Sequence, residues 1–293
     1  MIDLHTHTRY SDGTDTLEEL LINAEKAGLE ILSITDHDAV DAYFELEQNP
    51  RLRKLFSGKI IVGCEMKTFY KGVPIEVLAY CFDYKKLRIH KSDIDKIQEE
   101  TLISYKKICD DLGLKYDPEE LYIDKNNPAK QWASFSLSTE LLKHEENKEK
   151  IKEIGDFTST TFYRVHQCNV DSPFYIDETK YAIDLEETIE RIHEAGGIAI
   201  LAHGFIYPYK NKFETIEEML KTTELDGLEC IYPLFSKEET QMAFDLCKKY
   251  NKYISGGSDY HAKNKPTISL GVGENNIIVD KTVIENWDNI KMI

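Results

Sequence analysis

The chain has 293 residues, enough for one large α/β domain or two modest ones with an ample core. Its 53 acidic against 36 basic side chains give a formal net charge of −17, a field that repels a nucleic-acid backbone and excludes a non-specific DNA or RNA coat. A small anionic substrate stays possible where bound cations offset the charge. With 41% hydrophobic residues and 8 prolines the composition is that of an ordinary globular protein. The start, MIDLHTH, lacks the charged and apolar regions of a signal peptide, and no apolar run approaches the ~18 residues of a spanning helix. None of the 6 cysteines forms a C-x-x-C pair, which speaks against a disulfide framework or a thiolate zinc site. The expectation is a soluble cytoplasmic protein with reduced thiols and no membrane partner.

Taken in chain order, Ile2–His5 reads as a strand and TLEELLINAEKAG as a helix, with Thr14 or Asp15 as its cap and Gly28 as its stop. Ile31–Thr35 is strand-like, the stretch after Asp38 helical, and Lys59–Gly63 and Ile75–Cys81 are two more strands. This is the rhythm of a parallel α/β sheet or barrel, 1–83 forming its first part. From 84 to 177 the chain is Lys/Glu-rich and mostly helical, an insertion. The rhythm resumes over 178–293: Leu185–Ala195 helix, GGIAILAH strand, Ile216–Thr222 helix, GLECIYP strand, Glu238–Tyr250 helix, YISGGSDYH strand and NIIVD as a last strand. The fold class expected is α/β, a barrel split by a helical insertion.

Polar residues cluster at the carboxyl ends of these strands. His5 and His7 leave the first; Asp36, His37 and Asp38 the second; Glu65 the third; His203 follows GGIAILA; Asp259 and His261 end YISGGSDYH. In a parallel barrel those ends share one face, where active sites are built. Residues two apart in an extended strand point the same way, so His5/His7 and Asp259/His261 can each grip one ion. Imidazole and carboxylate without thiolate suit zinc, manganese or iron, and so many groups imply two or three ions sharing carboxylates, with Glu65 as a bridge. Each piece has an ordinary alternative: TDHD as a helix cap, GSDYH as a turn, His203 as a core histidine. His90, His144 and His193 read as solvated helix residues, and His166 is open.

The set H-x-H, SDG, TDHD, G-x-E, LAH, G-L-E-x-x-Y-P and G-S-D-x-H resembles the PHP (polymerase and histidinol phosphatase) family over about residues 1–82 and 183–262. It is most similar to the stand-alone metal-dependent phosphoesterases, which act on small nucleotides and, in some members, on RNA or oligonucleotide ends. The resemblance implies a distorted (β/α)7 barrel with a helical insertion and usually three ions, manganese, iron or zinc. Carried over, His5, His7, Glu65 and Asp259 hold one ion; Asp12, His37 and His261 a second; Glu65, His203 and a further group a third. The family has a histidine at that further position, where this chain has Glu76; its substrate-gripping arginine and histidine align with Ser134 and Ser136, and its LAHP is LAHG.

The expected chemistry is hydrolysis of a small phosphate ester, a nucleotide or an oligonucleotide end by a metal-bound hydroxide. Lys130, Arg164 and Lys210 are the nearest replacements for the missing phosphate clamp, each equally readable as an exposed cation. Two rivals remain: an amidohydrolase-type C–N hydrolase, which also begins with H-x-H but usually wants a bridging lysine, and a non-catalytic metal-binding module.

Overall fold

The structure is a computed structural model describing residues 1–293 apart from 128, 272–277, 288, 289 and 291. In chain order the elements are β1 (Ile2–Asp3), α1 (Leu17–Ala27), β2 (Ile31–Ile34), α2 (Asp41–Gln48), α3 (Pro50–Arg53), β3 (Lys59–Tyr70) and β4 (Val73–Tyr80). There follow α4 (Ile94–Leu112), α5 (Ala133–Leu141), α6 (Lys148–Ile154) and α7 (Ser159–Phe162). The chain ends with α8 (Leu185–Glu194), β5 (Ile198–Leu201), α9 (Lys212–Thr222), β6 (Gly227–Ile231), α10 (Lys237–Tyr250) and β7 (Tyr253–Gly256). Capping is local and legible: Thr16 and Ser236 each form a capping box, with Glu19 and Glu239, and Gly28 closes α1 in the left-handed region. The α1 cap is thus Thr16, not Thr14 or Asp15.

The seven strands form one sheet in the order β1-β2-β3-β4-β5-β6-β7. All neighbouring pairs are parallel except β3–β4 and β4–β5, so β4 alone runs backwards. This corrects the all-parallel expectation. The cause is a two-residue turn, Lys71 (φ 50°) and Gly72 (φ 80°), whose paired positive φ values fit a tight hairpin. β3 therefore runs through Gly63 to Tyr70, and Glu65 sits mid-strand opposite Leu78. β1 and β7 have no ladder between them, but Leu4 N–H donates to the Gly256 carbonyl (3.3 Å) and Thr6 bridges Tyr260. The buried Asp3 carboxylate completes this seam, accepting from Ser258 N–H (2.9 Å), Ser258 Oγ–H (2.6 Å) and Gly271 N–H (2.7 Å). The ring of strands is a distorted seven-stranded barrel.

Strand alternation sorts the side chains. Leu32, Ile34, Ile60, Val62, Val77, Ala79 and Leu201 pack in one large core with residues of α1, α2, α8, α9 and α10. The alternate positions Ile2, Leu4, Ile31, Ile61, Leu78, Tyr80 and Ile200 form a second core with Val279, Val283, Ile284 and Trp287. Trp287 donates its Nε1–H to the Ile254 carbonyl (2.9 Å) and closes that core from the C-terminal segment. Residues 276 and 277 of the expected last strand lie outside the described residues; Val279 makes an isolated antiparallel bridge to Ile2. A third core is drawn only from residues between Leu102 and Phe174, including Tyr105, Phe157 and Phe162.

Candidate metal centre

Glu65 and Glu76 occupy the same strand face as Ile61, Leu78 and Tyr80, the inner one. Apolar residues fill that face lower down; at the other end it turns to carboxylate. Because β4 runs backwards, Glu76 near its start reaches the same end of the sheet as the loops leaving β1, β2, β5 and β7. Those loops bring His5, His7, Asp12, His37, His203, Asp259 and His261 around the two glutamates, so all nine candidate side chains meet. Glycine helps at one point: a Cβ on Gly257 would lie 2.4 Å from His5 Cβ, so only glycine lets the β7 loop pass so close to His5.

Ligand atoms gather in four overlapping groups, each within 4.8 Å: His7/Asp12/His37/His261, His5/His7/Glu65, His5/His203/Asp259 and His37/Glu65/Glu76. Glu65 is the hub. Its Oε2 lies 3.1 Å from His5 Nε2, 3.2 Å from His7 Nε2 and 3.3 Å from His37 Nδ1, and its Oε1 lies 2.9 Å from His203 Nε2. Asp259 Oδ1 lies 3.4 Å from His7 Nε2 and 3.3 Å from His261 Nδ1. Asp12 Oδ1 lies 3.0 Å from His261 Nε2, and its Oδ2 3.7 Å from His37 Nε2. Glu76 joins through Oε1 to His37 Nδ1 and Oε2 to His203 Nε2, both at 3.5 Å. The expected second set, Asp12, His37 and His261, comes together with His7 added; pairwise distances also link Glu65, His203 and Glu76.

This donor set fits divalent metal ions. Five imidazoles and four carboxylates converge with no thiolate, and the buried atoms His7 Nε2 and His37 Nδ1 have no hydrogen-bond partner in the protein. A buried polar atom left so is costly unless something else satisfies it. The electrostatics agree. Burial works against the charged forms of His7 and Glu65. Yet the nearby carboxylates of Asp259 and Glu65 lift His7 to about 9, and His5, His37 and His203 hold Glu65 well below the usual carboxylate range. Asp259 is likewise held low against its burial, by Lys265, His5 and His261. Burial and the His7 charge push His37 down to about 3, while burial and Glu65 raise Glu76. His203 (φ 28°) and Asp259 (φ 56°) adopt positive φ, backbone strain of the kind held at functional sites.

Other candidates fall elsewhere. Asp36 turns its carboxylate away to Thr8 and Ser11. Ser134 and Ser136 are buried on α5 among the third core's residues. Lys130 is buried against Glu120 (2.7 Å) and stacks over Tyr122, a structural cation; Lys210 is exposed. Arg164 lies in a π-helical turn, Tyr163–Gln167, within electrostatic reach of the cluster: partial burial works against its charge, but Tyr232, Glu76, Asp259 and Tyr207 hold its guanidinium above its ordinary value. Such turns recur at functional sites. His90 sits in a loop, not a helix, against the Tyr181 carbonyl; His144 pairs with Glu140 and His193 with Asp226. His166 is a core residue between Ser172 and the Asp156 carbonyl, beside Phe157 and Phe162. Sequence reading passed over Asp3, Lys67 and Glu229, although a carboxylate inside an apolar strand, as in MIDL and GLECI, is itself a signal. Lys67 lies on β3 directly opposite Glu76.

Comparison with known proteins agrees with this geometry. The chain is 25% identical over 293 residues to a 5'-3' exoribonuclease of Haemophilus influenzae, covering 98% of this chain and 97% of that protein. It is 22% identical to a phosphoribosyl 1,2-cyclic phosphate 1,2-diphosphodiesterase of Eggerthella lenta, over 89% of this chain and 94% of that one. In fold it matches a Bifidobacterium adolescentis protein described as a metal-dependent phosphoesterase, with TM-score 0.59, 20% identity and coverage of 97% and 93%. It also matches an amidohydrolase of Chromobacterium violaceum, with TM-score 0.60, 20% identity and coverage of 92% and 89%. The model of the PHP domain matches residues 3–223, and the chain belongs to that family.

Proposed function

We propose that the protein is a metal-dependent phosphoesterase acting on a small phosphorylated substrate, a nucleotide or an oligonucleotide end. The observation that carries this reading is the convergence of nine imidazole and carboxylate side chains, three of them (His7, His37 and His203) with a buried unpartnered nitrogen, at the loop end of the barrel. Two or three ions, manganese, iron or zinc, would be held by His5, His7, Asp12, His37, Glu65, Glu76, His203, Asp259 and His261. Such ions supply a water acidic enough to attack near neutral pH and neutralise phosphoryl oxygens. The relatives named above, an exoribonuclease and a cyclic phosphodiesterase, both act on phosphodiesters, which supports this substrate class.

The chain's own residues have distinct tasks. Glu65 and Asp259, held ionised against their burial, keep negative charge where cations collect. Tyr232 donates its hydroxyl to Asp259 Oδ2 (2.8 Å), leaving Oδ1 toward His7 and His261. Arg164, whose charge Glu76 and Asp259 favour, is the residue to bind and orient a phosphate oxygen in place of Ser134 and Ser136.

The test measures release from a 5'-phosphorylated RNA oligonucleotide and from a chromogenic phosphodiester with added Mn2+, with a His7→Ala control. Turnover by the native protein and none by the variant supports the reading; equal release from both sinks it. Arg164→Ala should raise KM about tenfold or more with metal content unchanged.

A further inference from the structure

Three buried carboxylates, Asp3, Asp36 and Glu229, lie near the cluster without belonging to it. Asp3 and Asp36 bind backbone and hydroxyl groups of neighbouring loops. Glu229 differs: it grips two of the clustered histidines at once. Its Oε1 lies 2.9 Å from His5 Nδ1, and its Oε2 accepts the His203 backbone N–H at 2.8 Å. Glu229 is 1% exposed, on β6 between Leu228 and Cys230, at a strand position facing opposite to theirs. Both of its oxygens are therefore committed within the protein, and it stands among none of the four ligand groups.

Two consequences follow from this geometry. A carboxylate can only accept, so the His5 ring carries a proton on Nδ1, while Nε2 faces Glu65 (3.1 Å) and Asp259 (3.6 Å), where a bound metal ion would replace the Nε2 proton. The second oxygen holds the His203 backbone at its φ of 28°, a strained conformation that persists only where its surroundings impose it. His203 Nε2 then meets Glu65 Oε1 (2.9 Å).

We infer that Glu229 is a positioning residue that fixes the His5 tautomer and the His203 backbone together, and so selectively supports the ions held by His5 and His203. The inference rests on the metal reading above. Both Glu229 oxygens are taken, Oε1 by His5 and Oε2 by His203, and no hydrogen bond joins it to His7, Asp12, His37 or His261. Its effect on that far group is accordingly small. Glutamine at this position keeps the shape but has one accepting oxygen in place of two, and its NH2 must face either a ring N–H or a backbone N–H. A role in packing alone tolerates glutamine; a positioning role does not.

The experiment loads metal-free wild type, Glu229→Gln and Glu229→Ala with Mn2+ alone. Equilibrium dialysis with elemental analysis reads ions per chain and their dissociation constants, and 15N histidine spectra of the metal-free proteins read whether His5 holds a hydrogen-bonded Nδ1–H. Expected are a hydrogen-bonded His5 Nδ1–H in wild type, loss of that hydrogen bond in the alanine variant, and one or more ions bound about 10- to 100-fold more weakly in both variants. At least one ion, at the far group, keeps its wild-type affinity. Unchanged binding by Glu229→Gln, or equal weakening of every ion, overturns the inference. Wild type binding no Mn2+ would instead remove the metal reading, while the 15N spectra still decide whether Glu229 orients His5. If Glu229→Ala fails to fold, the near-isosteric Glu229→Gln carries the test.

Discussion

The loop from Thr8 to Gly13 delivers Asp12 to the cluster, and a single buried carboxylate fastens it. Asp36 accepts from Thr8 N–H, Thr8 Oγ1–H and Ser11 Oγ–H, each at 2.7 Å. Hydrogen bonds to a charged acceptor contribute about 1.5–3 kcal/mol each, but three on one group are not additive and Ser11 is only half-buried. Asp36→Ala also leaves the buried Thr8 N–H unsatisfied, a cost of about 1–3 kcal/mol. The expected total is about 3–5 kcal/mol, a fall in Tm of roughly 10 °C for a chain of this size. Asp36→Asn, with one accepting oxygen, should lose about half of that. Melting followed by circular dichroism measures both, and Mn2+ binding by the folded variants should weaken as the Asp12 loop loosens. An alanine variant melting within about 2 °C of wild type would show that Asp36 does not hold the loop.

Other outcomes can be checked directly. His37→Ala and Asp259→Ala, on loops beyond the strands, should abolish turnover while leaving the far-UV spectrum unchanged. Excess Mn2+ at about 100 times its dissociation constant should stabilise the native protein by about 2.7 kcal/mol, roughly 5 °C in Tm, and chelation should reverse it; Asp259→Ala should show much less. Glu76→His should raise activity or bound-ion count if the carboxylate impairs its ion; no gain, with three ions already in the native protein, removes that idea. Glu140, 2% exposed, would be raised by burial, but hydrogen bonds from His144, Lys143 and the Asp117 N–H lower it from 4.5 to about 2. Its folded value lies below the unfolded one, so its contribution, about 3 kcal/mol, is present above the unfolded pKa and lost as pH falls toward 2. Glu140→Gln should therefore be less stable at pH 7 and nearly equal to wild type near pH 2 in urea melts.

What the sequence by itself determined is local in its physics. Helix stops and starts follow from Gly28, Thr16/Glu19 and Ser236/Glu239, because a cap is made by residues three or four apart. The site was legible because metal chemistry restricts ligand types: histidines and acids placed just after apolar runs are few, and all nine converge. Tertiary structure decided the rest. The reversal of β4 depends on Lys71 and Gly72 both taking positive φ, and only that reversal carries Glu76 to the same end as His203. Arg164 and Glu229 looked like any cation and any strand acid until a π-helical turn and the inner strand face brought them to the cluster. Which oxygen faces which nitrogen depends on residues as far apart as His5 and Glu229, 224 positions along the chain. No local pattern encodes such a contact, because chain closure over that distance is set by the packing of the whole barrel.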